Sequence, residues 1–198
     1  MLILIVGPSG VGKDTLMNGA QERLGGNPRY RFVRRIITRP GDLGEEAHDS
    51  ATEQEFEARR QGGEFALIWR AHGLHYAIPT DIALDLAQGR AVVANVSRAV
   101  VAEAARVLAP GGCLVIVDLA GHSRTDVMGR LAHRWPGFTD AAMQDLLRAP
   151  GLLPGRPISV PGPLAVRLWP ATLPAAAATD AAHDAARETL PELVSEDA

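Results

Sequence analysis

The sequence predicts an α/β fold of three layers, in which a mostly parallel sheet lies between helices. Short apolar runs alternate with segments of helical periodicity through the first half of the chain, as repeated strand–helix units require. A glycine-rich loop stands directly between the first apolar run and the first helical segment. At 198 residues the chain has the size of one ordinary domain with its own core.

The first strand, loop and helix arrive in the order of a phosphate site. Residues 1–6 form an apolar run that predicts a buried parallel strand, and residues 14–24 have helical periodicity. The intervening sequence is a P-loop, in which backbone N–H groups and a helix N-terminus converge on one phosphate. We expect nine residues to bind ATP: Gly7, Pro8, Ser9, Gly10, Val11, Gly12, Lys13, Asp14 and Thr15.

Lys13 is the only lysine among 20 basic residues, and a P-loop lysine reaches the β and γ phosphates of the nucleotide. It is the first predicted catalytic residue. The next position, usually Ser or Thr, is Asp14, and the hydroxyl is displaced to Thr15. We expect these two side chains to hold Mg²⁺, directly or through water. The metal should be obligatory, because Asp14 adds negative charge near the phosphates.

The elements after the first helix follow from local signals. Residues 29–39 contain five arginines, a density that suggests an anion nearby. The sequence of residues 52–55 is a capping box and predicts a helix to about Gln61, ended by two glycines. The acidic segment 42–49, with His48 and Asp49, is expected to be a solvated loop.

Strands are predicted over residues 65–70 and 91–96, and helices over 80–88 and 99–108. Residues 71–79 are expected to form a loop. His72 and His75 in that loop have no nearby carboxylate or cysteine in sequence, so they make a weak metal site.

Composition limits the function classes. A net charge of −3 argues against a general nucleic-acid or membrane-surface role. The opening apolar run is too short for a signal peptide and lacks a basic region before it. The single cysteine, Cys113, excludes an internal disulfide and fits a reducing cytosol, where we expect a buried structural thiol. A cytoplasmic protein with a small-molecule partner is predicted, and nothing in the sequence indicates its oligomeric state.

Residues 1 to about 100 resemble the guanylate-kinase-like ribose 1,5-bisphosphate phosphokinases of bacterial phosphonate catabolism. Four blocks in order carry the resemblance: residues 7–16, 34–40, 65–79 and 92–98. An Asp after the P-loop lysine is what this family shows. The resemblance implies that ATP and Mg²⁺ are used to phosphorylate ribose 1,5-bisphosphate. The product would be 5-phospho-α-D-ribose 1-diphosphate (PRPP), with a phosphate group as the acceptor.

The resemblance also suggests an acceptor site. Guanylate kinases read guanine with an acidic residue where this chain has Leu67, which cannot accept the two hydrogen bonds that guanine donates. A sugar phosphate suits the remaining groups. Arg35 and Arg39 offer bidentate forks and Tyr76 a hydroxyl, and Arg39 is the second predicted catalytic residue.

Two further acceptor contacts are predicted at the end of the strand over residues 91–96, namely Asn95 and Arg98. Arg29 and Arg31 are expected to be surface residues without a role in the site.

The second half resembles the C-terminal part of class I S-adenosylmethionine methyltransferases. An apolar strand that ends in Asp118 follows a Pro-Gly-Gly turn, and residues 133–138 read His-Arg-Trp-Pro-Gly-Phe. The cofactor loop of that fold is missing. The predicted organisation is one kinase-like domain over residues 1–169, with a head (1–102) and a methyltransferase-like segment (103–169), followed by a disordered tail (170–198).

Further elements are predicted in this half: a helix from Thr125, a capped helix over 139–148 and a strand over 165–169. Arg130 and Arg134 share a face of the first helix and could form a substitute lid, although a solvated helix face is the favoured interpretation. Asp118 could be a metal ligand or an ordinary strand-end residue.

Three functions remain open at this stage. The leading one is the sugar-phosphate kinase. The alternatives are a catalytically impaired nucleotide-binding protein without a lid, and a methyltransferase-like interaction module. The junction between the two resemblances, between residues 97 and 105, could reflect a natural fusion, a recombined gene or a sequence error.

Overall fold

The computed structural model of the chain describes residues 1–7, 12–39, 48–121, 137–162, 165–175 and 194–195. Four helices lie in these ranges: α1 (Lys13–Leu24), α2 (Glu53–Gln61), α3 (Ile82–Ala87) and α4 (Asp140–Arg148). The strands are β1 (Leu2–Ile5), β2 (Tyr30–Val33), β3 (Arg35–Ile37), β4 (His48–Ser50), β5 (Phe65–Ala71), β6 (Leu74–Pro79), β7 (Ala91–Asn95), β8 (Cys113–Leu119), β9 (Leu153–Pro154), β10 (Ile158–Val160), β11 (Val166–Thr172) and β12 (Val194–Ser195).

The main sheet has the strand order β10-β11-β8-β1-β7-β2, and β9 pairs with β11. Strands β8, β1, β7 and β2 run parallel, as predicted for the first half. Strand β11 pairs antiparallel with β8, and β9 and β10 pair antiparallel with β11, so the second half extends the same sheet with antiparallel pairings. The α/β fold with its parallel central strands is confirmed.

Helices and chain segments cover both faces of this sheet. Leu2 and Leu4 of β1 point into the main core, which also contains Trp69 of β5 and Met143 of α4. The alternate residue Ile5 points to the opposite face, where Met17 of α1 contacts the same cluster. Because successive side chains of a strand point to opposite faces, β1 is buried on both sides. This gives the three layers that the sequence predicts.

A second sheet has the order β12-β5-β6-β3-β4. The prediction of a loop over residues 71–79 is wrong, because Leu74–Pro79 is strand β6 and forms a hairpin with β5. The turn lies at His72 (φ 51°) and Gly73 (φ 74°), which is the left-handed pair that a tight hairpin needs. The polar rings in this stretch hid the strand, since His75 and Tyr76 are half-buried on opposite faces of β6 and His72 lies in the turn.

Two other expectations are corrected. Residues 99–108 form no α-helix but two short 3-10 turns, at Arg98–Val100 and Glu103–Val107. His48 lies in strand β4 beside β3 and is buried at 6% exposure, so it does not belong to a solvated loop. Pairing with β3 supplies the backbone partners that the local sequence does not reveal.

The capped helices are confirmed. Thr52 and Glu55 form a reciprocal capping box at the start of α2, and Thr139 accepts from the Ala142 N–H at the start of α4.

Strand β11 continues to Thr172, past the expected boundary at residue 169. Cys113 is half-buried.

The helix expected from Thr125, with Arg130 and Arg134, lies outside the described residues, as does most of the expected tail. Within the described part of the chain, no helix has the length and apolar character needed to cross a membrane.

Candidate functional site

The glycine-rich loop leaves the end of β1 and enters α1 through left-handed glycines. Gly7 has φ 133° and Gly12 has φ 90°, conformations in which a side chain would be strained. The Gly12 carbonyl accepts the first helical hydrogen bond, from the Leu16 N–H at 3.0 Å. Pro8, Ser9, Gly10 and Val11 lie outside the described residues. The two ends of the predicted phosphate loop are therefore placed, next to the N-terminus of α1.

The side chain of Lys13 lies along this loop. Its Nζ donates to the Gly7 carbonyl at 2.8 Å, so the ammonium group joins the two ends of the loop. A positive charge beside a helix N-terminus favours an anion at this place.

Asp14 and Asn95 form a pair at the carboxyl edge of the sheet. The Asn95 Nδ2 donates to the Asp14 Oδ1 at 2.8 Å. Asp14 lies in the first turn of α1, where the helix dipole stabilises a negative charge. Asn95 ends β7 and is buried at 5% exposure. Thr15 follows Asp14 and is exposed.

A cleft opens beside this pair. It is lined by Asp14, Met17, Asn18 and Gln21 of α1, by Asn95, and by Phe32, Val33, Arg34 and Arg35. The structure thus brings the predicted acceptor residues Arg35 and Asn95 next to Asp14. Sequence reasoning missed Asn18 and Gln21, although their spacing from Asp14 places all three on one helix face.

Tyr76 holds Arg35 at the wall of this cleft. The Arg35 Cζ lies 5.9 Å from the centroid of the Tyr76 ring, within range of a cation–π contact. Tyr76 in turn stacks on Trp69, with centroids 5.3 Å apart and planes 11° apart. These contacts cross strands β3, β6 and β5, so the second sheet positions the guanidinium.

Arg39 follows β3, beyond the residues that line the cleft. Its Nε is buried and makes no hydrogen bond with the described part of the chain. The preceding Thr38 is fixed to β6, since its N–H donates to the His75 carbonyl and its Oγ1 accepts from the His75 N–H.

Arg98 is engaged elsewhere. Its Nε and Nη2 donate to the two carboxylate oxygens of Asp118, at 2.6 and 2.9 Å, and its guanidinium lies 5.3 Å from the Phe138 ring centroid. The Asp118 side chain is fully buried and also accepts from the Leu119 N–H. The structure therefore places Arg98 in an ion pair and not among the residues that line the cleft. Both carboxylate oxygens of Asp118 accept from the Arg98 guanidinium.

Other charged residues make structural contacts. Arg31 binds Asp81 and Asp85, and the hydrogen bond that it donates to Asp81 is the main cause that raises the pKa of Arg31. His75 bonds through Nδ1 to the Glu53 carboxylate at 2.8 Å. Among the described residues, no group of three acidic, histidine or cysteine side chains could hold a metal ion.

Comparison with known proteins identifies the relatives of the chain. No family model matches it. It is 44% identical over 133 residues to the ribose 1,5-bisphosphate phosphokinase PhnN of Brucella melitensis, covering 67% of each chain. A guanylate kinase from Anaplasma phagocytophilum aligns with a TM-score of 0.40 at 17% identity, covering 48% of this chain and 47% of that one. The methyltransferase CalO6 aligns with a TM-score of 0.33 at 14% identity, covering 86% and 57%.

The Brucella match also crosses the expected boundary between residues 102 and 103. A match of 133 residues in a chain of 198 includes both Arg98 and Asp118 wherever it begins. Similarity to the kinase is thus not confined to the head. On this identity and coverage, the chain belongs to the ribose 1,5-bisphosphate phosphokinase family.

Proposed function

We propose that this protein transfers the γ-phosphoryl group of ATP to ribose 1,5-bisphosphate, giving PRPP and ADP, in the breakdown of phosphonates. The observation that supports this best is the identity of 44% over 133 residues to a protein named for that activity. The geometry agrees, because Asp14, the residue after the P-loop lysine, lines a cleft that is also lined by Arg35.

The loop from Gly7 to Gly12 and the Lys13 ammonium would hold the triphosphate of ATP. Asp14 and Thr15 would hold Mg²⁺, and their carboxylate and hydroxyl oxygens are the hard donors that this ion prefers. When bound, Mg²⁺ neutralises charge on the β and γ phosphates. This proposed donor site lies at the carboxyl edge of β1, where the loop begins.

Arg35 would bind a phosphate group of the acceptor from the cleft wall, with Tyr76 beside it and Arg39 nearby in sequence. In the proposed reaction, an oxygen of the acceptor 1-phosphate attacks the γ-phosphorus. The bond to the β,γ-bridging oxygen breaks and ADP leaves. Such a transfer depends on positioning and charge neutralisation more than on covalent help from the protein. We assign Arg98 to the ion pair with Asp118 and not to the acceptor.

A purine acceptor is disfavoured by Leu67. This side chain is buried at 1% exposure in the main core, so its position offers neither a carboxylate nor an open surface to a base. GMP would leave its ring donors unpaired there. The single cysteine suits a reducing compartment, and we place the reaction in the cytoplasm.

The test is PRPP formation from ribose 1,5-bisphosphate and MgATP, followed by ³¹P NMR. Wild type should form product with ribose 1,5-bisphosphate but not with GMP, and Lys13→Ala should form it about 10²–10³-fold more slowly. Arg148→Ala is the matched control, because Arg148 makes only exposed contacts on α4 and should leave the rate unchanged.

Two outcomes would contradict the proposal. Binding of ATP without turnover would identify a nucleotide-binding protein that has lost catalysis. Turnover that is unchanged by Lys13→Ala would show that the P-loop is not the donor site.

A further inference from the structure

We propose that Asn95 is a positioning residue that acts through Asp14: its side-chain amide fixes the orientation of the carboxylate that holds the Mg²⁺ of ATP. This inference rests on the proposed function and changes the role expected for Asn95, from acceptor contact to support of the donor site. The observation that carries it is the hydrogen bond of 2.8 Å from Asn95 Nδ2 to Asp14 Oδ1.

Asn95 is a rigid donor. It ends β7 after three buried apolar residues, and its backbone is paired in register with Ile5 of β1. The next residue is also fixed, since the Val96 N–H donates to the Ile5 carbonyl at 3.1 Å. A polar side chain at such a buried strand end is costly unless it is hydrogen-bonded. Its amide is therefore held in place by the sheet.

Asp14 is the exposed partner of the pair. It lies on the first turn of α1, where the rotamer of a carboxylate depends on the groups that contact it. A Ser or Thr in this place would present a hydroxyl on a shorter side chain. The longer carboxylate gains from an external donor that selects one orientation, as partners of metal ligands commonly do.

A second aspartate at the same sheet edge shows why an amide matters. Asp118 ends in a bidentate pair with the Arg98 guanidinium, which cancels its charge. Asp14 accepts from the neutral amide of Asn95, a contact that orients a carboxylate without cancelling its charge. Because the Arg98 guanidinium already occupies the Asp118 carboxylate, we assign the cation to Asp14 and not to Asp118.

The experiment is a double-mutant cycle with Asn95→Leu, Asp14→Asn and the double variant. Isothermal titration calorimetry measures the affinity for the β,γ-imido analogue of ATP with and without Mg²⁺, and circular dichroism checks the fold. Asn95→Leu keeps the volume of the side chain and removes the donor. Asn27→Leu, in the exposed turn after α1, is the matched control.

Wild type and Asn27→Leu should bind the analogue more tightly when Mg²⁺ is present. Asn95→Leu should lose about tenfold or more of this Mg²⁺-dependent gain, the size found for partners of metal ligands, with the Mg²⁺-free affinity unchanged. In the Asp14→Asn background, Asn95→Leu should have no further effect, because the residue acts through Asp14.

Additive losses in the cycle would overturn the inference, and so would an equal loss with and without Mg²⁺. If Asn95→Leu does not fold, Asn95→Ser enters the same cycle, since its shorter hydroxyl cannot span the distance to Asp14 and the same losses are expected. No acceptor is present in these titrations. A protein that binds the analogue as expected but forms no PRPP would refute the proposed function and leave this inference standing.

Discussion

Residues 1–100 and residues 113–172 build one sheet, but the described residues that line the cleft all come from the first region. In the first region, Lys13, Asp14 and Arg35 lie at a loop and a cleft, in contact with carbonyl, amide or aromatic groups. In the second, Asp118 and Asp140 are each paired with an arginine. Buried charges are costly unless they are paired. The first region thus combines ion pairs, such as Arg31 with Asp81, with charged side chains at a cleft, whereas the second uses Asp118 and Asp140 for internal ion pairs.

The internal contacts of the second region form one cluster. The Arg98–Asp118 pair contacts Phe138, and Phe138 meets Trp169 edge to face at 6.5 Å. The Trp169 Nε1 donates to Asp140 Oδ1 at 2.9 Å, and Arg167 binds the same carboxylate. Arg98 precedes the boundary that the sequence predicts at residue 102, so the cluster joins both sides of it. We expect changes in the first region to alter activity and changes in this cluster to alter stability.

The largest effect is expected for Asp118→Ala. It leaves the Arg98 guanidinium unpaired at 15% side-chain exposure, so the free energy of unfolding should fall by about 3–5 kcal/mol in urea denaturation. The double variant Arg98→Leu with Asp118→Leu should recover most of this loss, because it removes both charges. Unchanged stability with lost Mg²⁺ binding would instead make Asp118 a metal ligand.

Lys13→Ala tests the expectation that changes in the first region alter activity and not stability. Loss of one charged donor to a transferring phosphoryl group should lower kcat by about 10²–10³-fold. The free energy of unfolding should change by no more than about 0.5 kcal/mol, as for an ordinary surface substitution. Steady-state kinetics and urea denaturation on the same preparation measure both. A large loss of stability would show that the loop also supports the fold.

Arg35→Lys is expected to act on the acceptor alone. It keeps the positive charge but loses the planar fork and the stacking on Tyr76. The KM for ribose 1,5-bisphosphate should rise about tenfold, the value of one charge-assisted hydrogen bond, while the KM for ATP stays constant. An equal rise in both KM values would place Arg35 at the nucleotide.

The smallest effect is expected for Asp140→Asn, and it depends on pH. The hydrogen bond from Arg167, followed by that from Trp169, lowers the pKa of Asp140 below its ordinary value. A lowered pKa in the folded state means that the ionised carboxylate stabilises the fold above the unfolded pKa, near 3.9, and loses this effect as pH falls through the folded pKa. Because the pair is partly exposed, the effect should be a small fraction of that of Asp118.

Thermal unfolding followed by tryptophan fluorescence can measure this difference. Wild type should be more stable than Asp140→Asn at pH 7, and the two curves should converge as the pH falls below 4. Glu57→Gln is the control for a carboxylate outside the cluster, since the hydrogen bond from Arg60 lowers the pKa of Glu57 to about 2 on the exposed face of α2. A gap for Asp140→Asn that persists at low pH would show that the asparagine perturbs packing.

The sequence by itself determined the elements whose signals are local. The apolar run of β1, the loop with Lys13 and the start of α1 are contiguous, so their order alone predicts a phosphate site. The capping box at Thr52 and the cap at Thr139 could also be predicted from the sequence, because a helix start is stabilised by residues within one turn. The same holds for the apolar strand at residues 91–95.

Only the tertiary structure decided the pairings between distant residues. The sequence analysis separated Arg35 from Arg31, but only the structure shows their contacts: β2 places Arg31 in the main sheet, in an ion pair with Asp81, and β3 places Arg35 in the second sheet, at the cleft. Strand order sets Asn95 beside Asp14 and Arg98 beside Asp118, and neither pair is visible in the sequence. Such contacts depend on sheet order and register, which bring together residues that are 81 and 20 positions apart, and no local pattern encodes them.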